Sequence, residues 1–321
     1  MKGRVAAEPA FGEHGLLVSP LCFECAPLGD MPETSGFSVA KERAHETLKA
    51  AFESPVNFLD TATSYGDGET ERRIGEVLNE LGEMPSVYVI STKAGRDLST
   101  ADFSGEQMRR SVERSLRLLG MDRLPLVYLH DPEHASYEEI ISLCGAVEVL
   151  ANLKQEGVIE HLGVTGGPVD LMIRYVETGT FEAVITHNRY TLINRIAEPL
   201  LERAAQLSVP ALNAAPYGGI LAKRPDAYAR YAYQEAPDEL VETVRKMSRV
   251  CREHGVPLAA AALQFSMKDP RVVSTMVGLS RPERVEQTRE LAAHPVPDEL
   301  WPRLEALVPE EQHDPEVSRW T

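Results

Sequence analysis

Short apolar runs and stretches of helical period alternate along the whole of this 321-residue chain, and that alternation leaves few folds open. The apolar runs fall at residues 21–25, 57–60, 87–92, 124–129, 159–164, 183–186, 209–214 and 273–277. Parallel strands need a crossover, usually a helix, to bring the chain back between them, whereas sandwiches join strand to strand by short turns. Between the runs, Ala44, Leu48, Ala51 and Phe52 share one helical face, as do Met108, Val112, Leu116 and Leu119. Ser104 and Gln107 precede and open the second of these helices at the spacing of a capping box. Eight strand-like runs predict one α/β domain over residues 1–321, a closed (β/α)8 TIM barrel with long loops at its C-terminal face and an extra C-terminal helix and tail. A hydrophobic content of 43% can fill such a core.

Composition excludes several functions. Lys and Arg total 33 against 49 Asp and Glu, a formal net charge of −16, so a surface that tracks nucleic-acid phosphates is not expected. The opening MKGRVAAEPAFGEHG lacks the apolar core of a signal peptide, and no later run is long enough to span a bilayer, so a cytoplasmic chain without membrane contact is expected. Cys22 and Cys25 form a C-x-x-C, but no second pair or His cluster accompanies them. They read as small apolar residues of the first strand rather than as a redox or metal pair. The nine histidines show no H-x-x-x-H or similar spacing, so no metal is expected. Oligomeric state is left open by the sequence.

Asp60, Tyr65, Lys93 and His130 all follow or end strand-like runs, and the C-terminal ends of barrel strands meet on one face. Any one of them alone reads as a cap, a turn or a surface side chain; together they read as a site. A lysine after a buried strand needs a counter-charge, which Asp60 can supply. An ammonium beside Tyr65 would lower the phenol's pKa from about 10 towards the range of a working acid or base. His130 could hydrogen-bond a substrate oxygen or tune the tyrosine. The set suits proton transfer at a carbonyl or alcohol oxygen while hydride moves at carbon.

The segments NFLDTATSYGDGETERRIGEVL, VYVISTKAGRD, LVYLHDPE, IEHLGVTGG and VSTMVGLSRPERVEQT closely resemble the aldo-keto reductases across nearly the whole chain. The resemblance implies a single barrel that binds an extended nicotinamide nucleotide, NADP or NAD, without a Rossmann domain. It implies a tetrad of Asp60, Tyr65, Lys93 and His130, with Tyr65 donating or accepting the proton. HDPE and RYTLINR (residues 189–195) look most like the branch of L-fucose and D-threo-aldose 1-dehydrogenases, which oxidise an aldose at its anomeric carbon to a lactone.

No G-x-G-x-x-G opens a helix in the right context. Gly278, Ser280, Arg281, Arg284, Gln287 and Thr288 instead follow the last strand and enter a helix, where backbone N–H groups can hold a phosphate and the arginines a 2′-phosphate or the adenine face. The other reading of the arginines is a helix start salt-bridged to Glu283 and Glu286. Thr165, Gly166 and Gly167, after the fifth strand, look like the position that in the family binds the nicotinamide carboxamide. This chain departs there: Thr-Gly-Gly replaces Ser-Asn, His187 stands for a Gln, Ala214 for the stacking aromatic and Thr288 for an Asn, leaving Tyr217 as a candidate to stack. The arginines tilt the choice slightly to NADP, the sugar-dehydrogenase likeness to NAD.

The loops at 28–31, 65–68 and 131–134, with Tyr217 in the long segment 218–237 and its approach, should form the mouth, and the tail carrying Trp320 is a further candidate wall. Asp131, Glu133, His134 and His187 give that mouth the hydrogen-bonding groups of a site for a polyhydroxylated small molecule. Two other functions stay open: NADPH-dependent reduction of small aldehydes or ketones, and a nucleotide-binding regulatory subunit with little catalysis.

Overall fold

Period-two alternation along eight parallel strands sorts the side chains into a barrel interior and a layer under the helices. The computed structural model describes residues 15–32, 36–82, 87–222, 229–312 and 314–315. Its strands are β1 (Leu21–Glu24), β2 (Phe58–Asp60), β3 (Val89–Ala94), β4 (Leu124–His130), β5 (Ile159–Thr165), β6 (Ala183–His187), β7 (Ala211–Ala214) and β8 (Val272–Gly278). They close in sequential order, with β1 hydrogen-bonded to both β2 and β8. The predicted (β/α)8 barrel is the fold observed.

Cys22, Phe58, Val89, Leu126, Tyr128, Ala183, Ile185, Leu212 and Met276 fill the interior. Their neighbours Phe23, Leu59, Ile90, Val127 and Val184 join the outer layer beneath the helices. Large interior side chains leave little room opposite: a Cβ on Gly163 would lie 2.4 Å from the Tyr128 ring. Cys22 and Cys25 are buried and unbridged, with thiols pushed up in pKa by burial, so both act as packing residues.

The helices are α1 (Lys41–Phe52), α2 (Glu69–Leu81), α3 (Gly105–Leu119), α4 (Tyr137–Ile141), α5 (Ala146–Gln155), α6 (Val169–Glu177), α7 (Glu198–Gln206), α8 (Asp238–Glu253), α9 (Leu258–Lys268), α10 (Glu283–Ala293) and the extra C-terminal α11 (Leu300–Glu305). The faces expected of α1 and α3 are the buried ones, although Leu116 is only partly covered. The expected capping box of α3 is half formed. Ser104 Oγ accepts from Gln107 N, but the Gln107 amide turns to Gly95 O, because Asp102 already takes the Ser104 N–H. A complete box sits at α4, between Ser136 and Glu139.

Strand ends shift in a way that matters for the site. β3 begins at Val89 rather than residue 87 and runs on to Ala94, so Lys93 lies inside the strand. In the long segment, Arg230–Tyr231 pairs antiparallel with Gln234–Glu235, and residues 223–228 lie outside the description. Trp320 lies outside it too. Buried Arg189, after β6, holds Asp314 with two bonds of 3.0 and 2.6 Å and so ties the chain's last described residues to the barrel mouth. Among the described residues no helix is long and apolar enough to cross a membrane.

Candidate active site

The alternation that fills the barrel also selects its rim. Two residues beyond inward-facing Phe58 comes Asp60; Val89 leads through Ser91 to Lys93, Leu126 through Tyr128 to His130, and Ile185 to His187. Cys22 leads by the same step to Glu24. These ends, with Thr165, Ala214 and Met276, surround a cavity of 1070 Å³ at the C-terminal mouth of the barrel.

Tyr65 enters from the loop after β2. Gly66 has φ +61, and a Cβ there would fall 2.0 Å from Gly29 O, so the turn that aims the phenol needs glycine at this point. Lys93 Nζ donates 2.9 Å to the Tyr65 hydroxyl and 2.8 Å to Thr61 O, and forms an ion pair with Asp60 Oδ2. Ser91 Oγ donates 2.7 Å to the other Asp60 oxygen. Asp60 is wholly buried and Lys93 is 4% exposed, so each charge depends on the other. His130 stands beside them with its ring edge-on to Tyr65 at 6.2 Å, Nδ1 3.4 Å from Ser64 Oγ and Nε2 3.5 Å from Asp131. The four predicted residues thus line one cavity.

One expectation is reversed. Burial, then the Glu24 and Asp60 carboxylates, push the Tyr65 phenol well above its usual pKa, despite the ammonium 2.9 Å away. Lys93 is paired with Asp60, and the Glu24 carboxyl stands as a second acidic group beside the phenol. In the resting site Tyr65 is a protonated donor.

Glu24 was missed by reasoning from motifs. Burial raises its carboxyl, with Asp60 adding to the rise, while Lys93, the Ala26 amide at 3.1 Å and the Tyr65 hydroxyl favour its charged form. The signal was there in the alternation Cys22-x-Glu24, one strand before Phe58-x-Asp60, and the two carboxylates are register partners.

Burial lowers the pKa of His130 to about 4, against the pull of Asp131. Between that value and the unfolded value near 6.5 the unfolded chain binds a proton that the native site refuses, so acidification through this window destabilises the fold. His130→Gln should therefore gain about 2–3 kcal/mol relative to wild type between pH 7 and pH 4.5. Urea unfolding at both pH values measures this, and an unchanged difference between the two proteins would refute it.

Glu133 does not join the mouth as expected. It turns inward, Oε1 accepting 2.6 Å from Gly167 N, with Oε2 buried where a Cβ on Gly166 would lie at 2.5 Å. Burial raises its pKa to about 7. Asp131, His134 and His187 do line the cavity.

The candidate nucleotide residues divide. Thr165 lines the cavity, and Gly166 and Gly167 are backed by Glu133. Tyr217 is not part of the cavity wall; Tyr233 of the long segment is. Tyr217 keeps a buried hydroxyl without a hydrogen-bond partner among the described residues and feels the Arg284 charge. Arg284 has no ion pair among the described residues, and Arg281 lies 3.9 Å from Glu283, which Arg43 holds more closely at 2.7 Å. Gly278 and Ser280 lead into α10, Gln287 is exposed on it, and Thr288 is turned into the core. An uncommitted guanidinium and an orphaned hydroxyl beside a strand-to-helix turn fit a phosphate-bearing nucleotide.

The model of the Aldo/keto reductase family matches residues 28–309. The chain is 31% identical to a D-threo-aldose 1-dehydrogenase of Pseudomonas sp over 93% of its length and 97% of that relative. It is 30% identical to the L-galactose dehydrogenase of Arabidopsis thaliana over 87% and 85% of the two chains. The holo form of an aldo-keto reductase from Bacillus halodurans superposes with a TM-score of 0.76 at 23% identity, covering 94% of this chain and 96% of that one. This chain belongs to the aldo/keto reductase family and is a nicotinamide-dependent oxidoreductase.

Proposed function

We propose that the protein oxidises an aldose at its anomeric carbon to a lactone, with Asp60, Tyr65, Lys93 and His130 as the catalytic group. The observation that carries this reading is the Lys93 Nζ to Tyr65 hydroxyl bond of 2.9 Å at the floor of a polar cavity. A bound nicotinamide supplies the hydride acceptor. Tyr65 takes the proton of the substrate hydroxyl while it hands its own to Glu24, and Lys93, held by Asp60 and Thr61 O, stabilises the partial negative charge on the phenol oxygen during that exchange. His130 is neutral at working pH and offers a ring nitrogen to the same substrate oxygen.

Because the resting phenol is protonated, its proton must leave as the substrate's arrives. Glu24 faces that hydroxyl and is placed to accept it. Thr165, Gly166, His187, Tyr217, Gly278, Ser280, Arg281, Arg284, Gln287 and Thr288 form the candidate nucleotide site. The uncommitted Arg284 favours the nucleotide bearing a 2′-phosphate.

Relatives named for D-threo-aldose, L-galactose and D-arabinose support a sugar substrate, as do Asp131, His134 and His187 at the mouth. A second reading, reduction of an aldehyde or ketone, is favoured by the protonated resting state of Tyr65. Titration with NADPH and NADH by fluorescence, then absorbance assays with free aldoses and with aldehydes, separates the two. Turnover of the aldehydes alone would reject the dehydrogenase reading; turnover of neither panel would reject both.

A further inference from the structure

A second cavity of 650 Å³ opens off the first, and Ser64, Asp67, Arg96 and Leu98 belong to the walls of both. Its far wall is one face of α3, where Arg110, Arg114 and Arg117 follow at helical spacing. Four arginines face Asp67, Asp97 and Glu113 around this groove, a slight local excess of positive charge in a chain whose net charge is −16.

Most charges around the groove are committed. Arg110 pairs with Asp102 at 2.7 Å and with Glu106 at 2.9 Å, and Arg114 pairs with Asp67 at 2.8 Å. Asp97 spends one carboxylate oxygen on Ser99 N, Ser99 Oγ and Thr100 N of its own loop. The side chains of Arg96, half-buried, and Arg117, exposed on α3, have no ion pair or hydrogen-bond partner among the described residues. The larger cavity repeats the contrast: Lys93 is held by Asp60, and Arg73 by Glu69 with the Leu28 and Val39 carbonyls. Of the cations lining the redox cavity, Arg96 is the one without a carboxylate among the described residues.

Arg96 is also well placed along the chain. It stands three residues after Lys93, a backbone reach of at most about 10 Å, and the groove it enters begins at Ser64, next to Tyr65 and hydrogen-bonded to His130. A substrate whose reacting carbon lies at Tyr65 can extend into this groove. A guanidinium can bind phosphate or carboxylate oxygens in a bidentate manner, and half-buried Arg96 would do so against less screening than a surface lysine.

We infer that the natural substrate carries an anionic group at the end remote from the reacting carbon, a terminal phosphate or carboxylate held by Arg96 together with Arg117. The inference rests on the oxidoreductase reading above and narrows its substrate to acidic or phosphorylated sugars.

The test compares each neutral aldose with its terminal phosphate and with its uronic acid, in wild type and in the double variant Arg96→Gln/Arg117→Gln. The expected result is a kcat/KM at least tenfold higher for one of the anionic partners, expressed in KM and reduced by salt. In the double variant that preference falls to near unity. The two anionic arms distinguish phosphate from carboxylate. Equal turnover of neutral and anionic members, or a preference that survives the double substitution, overturns the inference while leaving the redox reading intact. If no sugar is turned over, calorimetric titration of both proteins with the sugar phosphate and the uronate decides. Binding lost in the double variant upholds the anion site without the proposed reaction, and absence of binding to wild type overturns the site.

Discussion

Tyr65→Phe is expected to lower turnover by roughly a hundred- to ten-thousand-fold and to leave nucleotide affinity almost unchanged. The substitution removes one oxygen. That oxygen receives the 2.9 Å bond from Lys93 and faces Glu24 at the cavity floor, whereas the ring itself packs edge-on to His130 and beneath the ammonium, at 4.5 Å from its centre. Phenylalanine keeps this packing, so the fold and the neighbouring groups stay in place. A fluorescence titration with NADPH or NADH reads binding and a stopped or continuous assay reads kcat. A variant that turns over at the wild-type rate would remove Tyr65 from the chemistry, and a variant that loses nucleotide binding instead would mark it as part of the cofactor cradle.

Lys93→Met is expected to destabilise the fold by about 3–5 kcal/mol, the range found when one partner of a buried ion pair is removed. Asp60 has no exposed surface, and its remaining side-chain partner, Ser91, donates only one hydrogen bond. Burial already drives the carboxyl upward in pKa against Lys93, so in the variant Asp60 takes up a proton, which limits the loss. Asp60→Asn added to Lys93→Met should therefore recover a large part of the stability without restoring activity. Urea unfolding of the two variants and wild type at pH 7 provides the comparison. A single variant within about 1 kcal/mol of wild type would show that the pair is not the buried, mutually dependent couple described.

Much of the barrel was legible because its signals are local. Each strand announces itself as a short apolar run, and the residue types at the ends of the runs near 60, 93 and 130 are too polar for a core. Where bounds moved, the cause was tertiary: β3 extends to Ala94 because its last residues pair with Tyr128 and Leu129 of β4. The capping box at Ser104 was half right for a similar reason, since Gly95 offers Gln107 a partner that no local pattern reveals.

The site was legible as a set of residue types and misread as a charge balance. Spacing placed a lysine beside a tyrosine and so suggested a lowered phenol pKa. It said nothing of Glu24, which arrives at the same hydroxyl from β1, or of Glu133 folding back on Gly167. The sequence by itself determined the alternation of elements, the closed barrel that follows, and the four acid–base groups that such a barrel gathers on one rim. Only the tertiary structure decided which form of the phenol rests there, which carboxylates reach the cavity, and which arginines remain uncommitted. Those outcomes depend on burial and on charges interacting through space, and neither quantity is carried by the order of residues along the chain.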